Sequence, residues 1–255
     1  MSYIELQNVS KTIGKSTILT KIDFNAEKGS ITGFVGPNGS GKTMLLRLIA
    51  GFIKPSDGKI TMPRAIRKGV IIENPAFIDE FSGFENLCYL ASISKTITPE
   101  KIKAEMRTLG LDPEDMRKVK IYSLGMKQKL ALIQATMELP ELLILDEPTR
   151  GLDGDSVEIV YSKIKQYSKK GMTVFIASHS KKDIETLCDV VYIIQNGTIE
   201  KTQIADGWNT GIKFCRYNGL PVCTMSERVN RYTVNFVIML TTSATYGKMF
   251  LDRKG

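Results

Sequence analysis

Apolar and polar residues alternate from Tyr3 to Val9 (YIELQNV) and again from Ile18 to Phe24 (ILTKIDF), ahead of a turn at Glu27-Lys28-Gly29-Ser30. A period of two predicts two half-buried strands. Ile31 to Val35 (ITGFV) reads instead as a short strand of the buried kind, followed by a glycine-rich loop. Beyond the loop, the leucines of Thr43 to Ala50 (TMLLRLIA) recur at helical spacing until Gly51. Strand, glycine loop and helix therefore stand in direct succession.

Between about Pro75 and Pro140 the pattern is mainly helical, with one segment at Phe84 to Ala91 and another opening at Thr98-Pro99-Glu100 and stopping at Gly110. A third covers Met126 to Leu139 (MKQKLALIQATMEL), so this region reads as a helical insert. Strand and helix alternate again afterwards: Leu142 to Leu145 ends in Asp146-Glu147, a helix covers Ser156 to Tyr167, and Thr173 to Ala177 ends in Ser178-His179. Such alternation implies right-handed crossovers and an α/β fold with a mainly parallel sheet. Val190 to Gln195 meets Thr198 to Lys201 across Asn196-Gly197, a two-residue hairpin signal. Past Ile204 the pattern weakens, and Tyr232 to Leu240 is the one strand it suggests.

Composition narrows the partners rather than the fold. The 255 residues are 42% hydrophobic and 24% charged, which excludes a disordered or fibrous chain. With 35 Lys and Arg against 27 Asp and Glu the net charge is +8, and seven basic and three acidic residues from Gln203 to Gly255 place +4 of it in the tail. That balance suits an acidic partner such as nucleotide phosphates, nucleic acid or an anionic membrane surface. The four cysteines lack the paired spacing of a zinc site and read as reduced thiols. MSYIELQNVSKTIGK lacks the apolar run of a secretory signal, and no segment is apolar for long enough to span a bilayer. A cytosolic protein is expected, reaching a membrane only through a partner.

Two groups of residues carry the chemistry. Gly36, Pro37, Asn38, Gly39, Ser40, Gly41, Lys42 and Thr43 form GPNGSGKT, the phosphate-loop pattern, between the strand and the helix that such a loop requires. Its glycines let backbone N–H groups converge on one site, toward which the following helix aims its positive end. Lys42 is expected to neutralise β- and γ-phosphate oxygens, and the Thr43 hydroxyl to ligate Mg²⁺. Leu142 to Glu147 (LLILDE) puts two acids at the carboxyl end of a buried strand, where α/β proteins bind ligands. Asp146 is expected to hold the magnesium, directly or through water, and Glu147 to polarise the water that attacks the γ-phosphate.

Beside these motifs, Tyr122 to Gln128 (YSLGMKQ) resembles the signature of the ATP-binding subunit of ABC transporters, 21 residues before Asp146 when counted from Gly125. Ser123, ahead of a helical run, is a good N-cap whose neighbouring N–H groups can receive an anion. The resemblance covers about residues 2–201 and extends to Gly151-Leu152-Asp153, similar to the D-loop, and to His179, similar to the switch histidine. It implies a phosphate-loop NTPase with a mainly parallel core sheet, an N-terminal antiparallel β subdomain and a helical insert at about residues 75–140. It further implies an ATPase domain over residues 1–202 and a short basic extension over 203–255. By the same resemblance, Ser123 and Gly125 close over the γ-phosphate held by a second copy in a homodimer. His179 contacts that phosphate, and separately encoded permease subunits at the cytoplasmic face of the cell membrane receive the energy. The cofactors implied are ATP and Mg²⁺, with no nucleic acid.

Three residues depart from the pattern. Glu73 stands where the Q-loop glutamine is usual, which keeps an oxygen donor for a metal while adding negative charge beside the phosphates. Met126 replaces the signature's glutamine, and Ile13 stands where an aromatic residue commonly stacks on adenine. Glu73 in ENPAF, together with YSLGMKQ, resembles the branch that exports antimicrobial peptides, of the bacitracin-resistance and lantibiotic-immunity type. The leading expectation is thus an exporter's ATPase. The alternative is a non-transport ABC ATPase acting on nucleic acid or the ribosome, which the charge invites but for which no second ATPase unit, coiled coil or zinc module is visible.

Overall fold

The two alternating segments form β1 (Ile4–Ile13) and β2 (Ser16–Ala26), which pair antiparallel. Ile4, Leu6 and Val9 of β1 and Leu19, Ile22, Phe24 and Ala26 of β2 turn inward and are buried. The chain then enters a different sheet as β3 (Ile31–Val35) and passes through the glycine loop into α1 (Lys42–Ala50). It returns as β4 (Asp57–Thr61) on the other side of β1, so the first sheet has the order β2-β1-β4. The strand β4 has no legible pattern, because DGKIT is largely exposed and is held by pairing rather than by burial. This computed structural model describes residues 2–73, 75–203, 213–217, 220–229, 232–240 and 245–251, with side chains through Ile199.

The second sheet begins with β5 (Lys68–Ile71) and is interrupted by α2 (Gly83–Ser94), α3 (Pro99–Thr108) and α4 (Leu124–Thr136). Ser82 and Glu85 cap α2 reciprocally, with Ser82 Oγ accepting from Glu85 N at 3.2 Å and Glu85 Oε2 accepting from Ser82 N at 2.7 Å. The sheet resumes with β6 (Leu142–Asp146), α5 (Gly154–Lys169), β7 (Thr173–Ala177), α6 (Lys181–Leu187), β8 (Val190–Gln195) and β9 (Thr198–Gln203). Its strand order is β5-β6-β7-β3-β8-β9, parallel from β5 through β8. At the β8–β9 turn Asn196 and Gly197 have φ of 50° and 72°, the left-handed pair that a two-residue hairpin needs.

The two sheets share one core. Phe24 of the first sheet meets Phe34, Phe175 and Tyr192 of the second with ring centroids 5.2 to 5.8 Å apart. Burial of each such ring contributes about 1.5–3 kcal/mol. Register then places the chemistry: Phe34 and Asp146 both pair with Ala177, so β3, β6 and β7 end at one edge. The glycine loop, Asp146-Glu147 and Ser178-His179 leave the sheet side by side there. Residues 202–255 make a separate compact unit, within which β10 (Lys213–Tyr217), β11 (Leu220–Val229), β12 (Tyr232–Leu240) and β13 (Thr245–Leu251) form an antiparallel sheet in that order.

Candidate functional site

The glycine loop requires glycine at three positions, one of them Gly39 with a φ of 77°. A Cβ on Gly36 would stand 2.1 Å from the Ile194 carbonyl oxygen, and Gly41 caps α1 at a φ of 108°. Unlike α2, α4, α5 and α6, helix α1 starts with no side-chain cap, and it has no acid in its first turn. Its leading N–H groups and positive end are thereby offered to an anion. Lys42 is only 7% exposed and donates to the Gly36 and Pro37 carbonyls at 2.8 and 3.0 Å, so its ammonium is seated inside the loop. Ser40 Oγ is buried in the same loop without a hydrogen-bond partner. A buried cation held by carbonyls and a buried hydroxyl without an acceptor both fit a loop that receives phosphate.

The acids line the same cavity of about 530 Å³ as this loop. Thr43 Oγ1 donates to Asp146 Oδ2 at 2.6 Å, which sets two hard oxygen donors together and fits a magnesium ion. Burial, with the charges of Glu147 and Glu73 behind it, pushes the Asp146 carboxyl above its ordinary range, while Thr43 and Lys42 oppose the shift. A cation at this point would relieve the crowding of negative charge. Glu147 follows with a φ of 51°, an uncommon conformation for a residue with a side chain, held by its N–H bond to the Ala177 carbonyl at 2.8 Å. The Glu147 Oε1 atom accepts from the His179 backbone N–H at 3.0 Å and lies 2.7 Å from His179 Nδ1. The base expected from LLILDE and the lone histidine thus form one unit at the sheet edge.

Other expected residues are placed differently. Glu73 borders the cavity at a φ of 64°, but its carboxylate is ion-paired with Arg47 of α1. Arg47 lies one turn beyond Thr43, on the same helix face. The pair partly neutralises the extra charge beside the phosphate loop. Arg47→Ala is therefore expected to raise the KM for MgATP about fivefold, the effect of one unscreened charge worth about 1 kcal/mol, and Glu73→Gln in the same chain to restore it. An ATPase titration of the single and double variants measures both. Ile13 is exposed at the end of β1, whereas Ile18 of β2 borders the cavity.

Ser123 caps α4, accepting from Met126 N at 3.1 Å, and is exposed together with Leu124. Gly125 is buried against the loop that follows β6, where a Cβ would meet the Gly151 oxygen at 2.7 Å. Gln128, in the same motif but without an assigned role at the sequence level, is buried and donates to the Glu147 and Pro148 carbonyls at 3.4 and 3.2 Å. It ties α4 to the loop that carries Glu147. Its place in YSLGMKQ was the signal available.

The loop, helix start and paired acids define a phosphate-loop nucleotide site. The chain belongs to the ABC transporter family, whose model matches residues 19–150, and within it to the ATP-binding subunits. It is 39% identical to the ABC transporter ATP-binding protein YybJ of Bacillus subtilis (strain 168) over 78% of this chain and 96% of that protein. It is 33% identical to the bacitracin transport ATP-binding protein BcrA of Enterococcus faecalis, over 84% of this chain and 74% of that one. Against the lantibiotic transport ATP-binding protein SrtF of Streptococcus pyogenes the figures are 34%, 80% and 92%. The expected branch is thereby matched. The fold is similar to that of the ATP-binding cassette MJ0796, solved as a dimer in a post-hydrolysis state with ADP and Pi. The TM-score is 0.72 at 20% identity, over 79% of this chain and 99% of that one.

Proposed function

We propose that this chain hydrolyses MgATP in a head-to-tail homodimer and so drives export of an antimicrobial peptide or drug through separate membrane subunits. The observation that carries the reading is the sheet edge itself, where Glu147, held by His179, faces the cavity bordered by Lys42 and Thr43. Residues 1–202 act as the ATPase domain, with 75–140 as its helical part and 203–255 as an appended basic extension. Lys42 turns from the Gly36 and Pro37 carbonyls to the β- and γ-phosphate oxygens, and the N–H groups of α1 bind the same anion. Thr43 and Asp146 would hold Mg²⁺, which would supply neutralising charge to the triphosphate. The Glu147 carboxylate accepts the proton of the attacking water, and His179 keeps that carboxylate in place. Ser123, whose helix start is exposed, and Gly125 complete the site of the second copy. Glu73 remains an oxygen donor that could reach the metal once Arg47 releases it.

The names of BcrA and SrtF support a peptide antibiotic as cargo. Among the described residues no helix is long and apolar enough to cross a membrane, which fits a peripheral subunit at the cytoplasmic face, reached through permeases. Affinity purification of the full chain from its native membranes is expected to recover membrane-spanning subunits, and DNA or RNA to leave ATP turnover unchanged. Turnover stimulated by nucleic acid, with a steep salt dependence, would instead establish the non-transport alternative.

A further inference from the structure

Asp183 lies in α6, outside every motif described above, and is 1% exposed. A buried carboxylate needs donors, and this one draws on three hydroxyls from three parts of the fold. Tyr161 Oη of α5 donates to Oδ1 at 2.6 Å, and Ser178 Oγ donates to Oδ2 at 2.8 Å. Thr149 Oγ1, two residues after Glu147, lies 3.0 and 2.8 Å from the two oxygens. Burial, reinforced by the bond to Asp183, pushes the Tyr161 phenol up and keeps it a donor.

The same Ser178 Oγ stands 3.2 Å from Glu147 Oε2. A hydroxyl carries one proton, so Ser178 can serve Asp183 or Glu147 but not both at once, and the shorter contact is to Asp183. Glu147 Oε1 is already engaged by the His179 backbone and ring. Oε2 is therefore the oxygen left to meet the nucleophilic water, provided the Ser178 proton points elsewhere.

We propose that Asp183 is a positioning residue for ATP hydrolysis: it draws the Ser178 proton to itself, leaving Glu147 Oε2 an open acceptor, and through Thr149 it ties the loop after Glu147 to the loop bearing His179. This inference rests on the reading of Glu147 as the base. Replacing the carboxylate by an amide reverses the arrangement. Tyr161, at 2.6 Å, demands an acceptor at the Oδ1 position, so the amide nitrogen takes the Oδ2 position and donates to Ser178 Oγ and Thr149 Oγ1, both of which can accept. The serine proton then turns to Glu147 Oε2, where it occupies one lone pair, competes with the water and weakens the oxygen as a base.

Asp183→Asn in the full chain is expected to lower kcat about tenfold or more, with the KM for ATP unchanged. Adding Ser178→Ala to that variant removes the competing proton and is expected to raise kcat severalfold. A residue that merely stabilised the fold would give the opposite result, since a second loss in the network would lower activity further. Wild-type kcat in Asp183→Asn, or no recovery in the double variant, overturns the proposal. Should Asp183→Asn not fold, the near-isosteric Thr149→Val carries the test: a lower kcat at constant KM is expected, and an unchanged kcat overturns it. Glu147→Gln, assayed alongside, separates the two readings. If that variant turns over normally, the base assignment fails; if it is inactive while Asp183→Asn is normal, only the positioning role fails.

Discussion

Glu147→Gln is expected to lower ATP turnover at least about a hundredfold while MgATP still binds, so that the chain accumulates as a nucleotide-bound dimer. The amide matches the carboxylate in size and keeps an oxygen for the His179 backbone N–H bond at 3.0 Å. It therefore leaves the loop after β6 in place. What it removes is the capacity to take a proton from water, and one negative charge among the acids that already push Asp146 upward. Losing that charge favours the bound triphosphate, whereas losing the base stops the reaction that would release it. Steady-state turnover gives the first effect, and light scattering with and without MgATP gives the second, as a doubling of mass. Turnover at the wild-type rate would remove Glu147 from the role of base.

Lys42→Ala acts one step earlier and is expected to abolish measurable nucleotide binding, a loss of at least about a hundredfold in affinity. The side chain is buried, and its ammonium is the cation seated within the loop, on the Gly36 and Pro37 carbonyls. Charge-assisted contacts are each worth about 1.5 kcal/mol or more, and Lys42 is placed to make more than one. Without it, Asp146, Glu147 and Glu73 face the triphosphate with less compensation. Titration with a fluorescent nucleotide measures the loss, and a thermal melt without nucleotide verifies that the variant is folded. Retained binding in a folded variant would move the phosphate site away from GPNGSGKT.

The extent to which the chain could be read in advance follows the kind of interaction at each point. The boundaries of β3, β7 and β8 coincide with the sequence expectation, because each is a short apolar run closed by residues that cannot extend it. The hairpin at Asn196-Gly197 was equally legible, since its backbone demand falls on two adjacent residues. The strand β4 and helix α6 escaped notice. One has too few apolar residues to show a period, and the other is only seven residues long. The site divides in the same way. The loop, the acid pair and His179 were visible as local strings, whereas Gln128, Arg47, Ser178 and Asp183 gained their meaning from partners elsewhere in the chain.

Local chemistry was thus written into the chain directly: which residues can turn, which can hold phosphate, and which strand ends carry acids follow from residue types next to one another. The three-dimensional arrangement alone decided that Glu147 bonds to His179, that Glu73 is held by Arg47, and that one serine proton stands between Glu147 and Asp183. Those contacts join segments brought together by a parallel sheet in the order β5-β6-β7-β3-β8-β9. Hydrogen bonds are lost within a fraction of an ångström, so only the packed register of that sheet selects which distant groups meet.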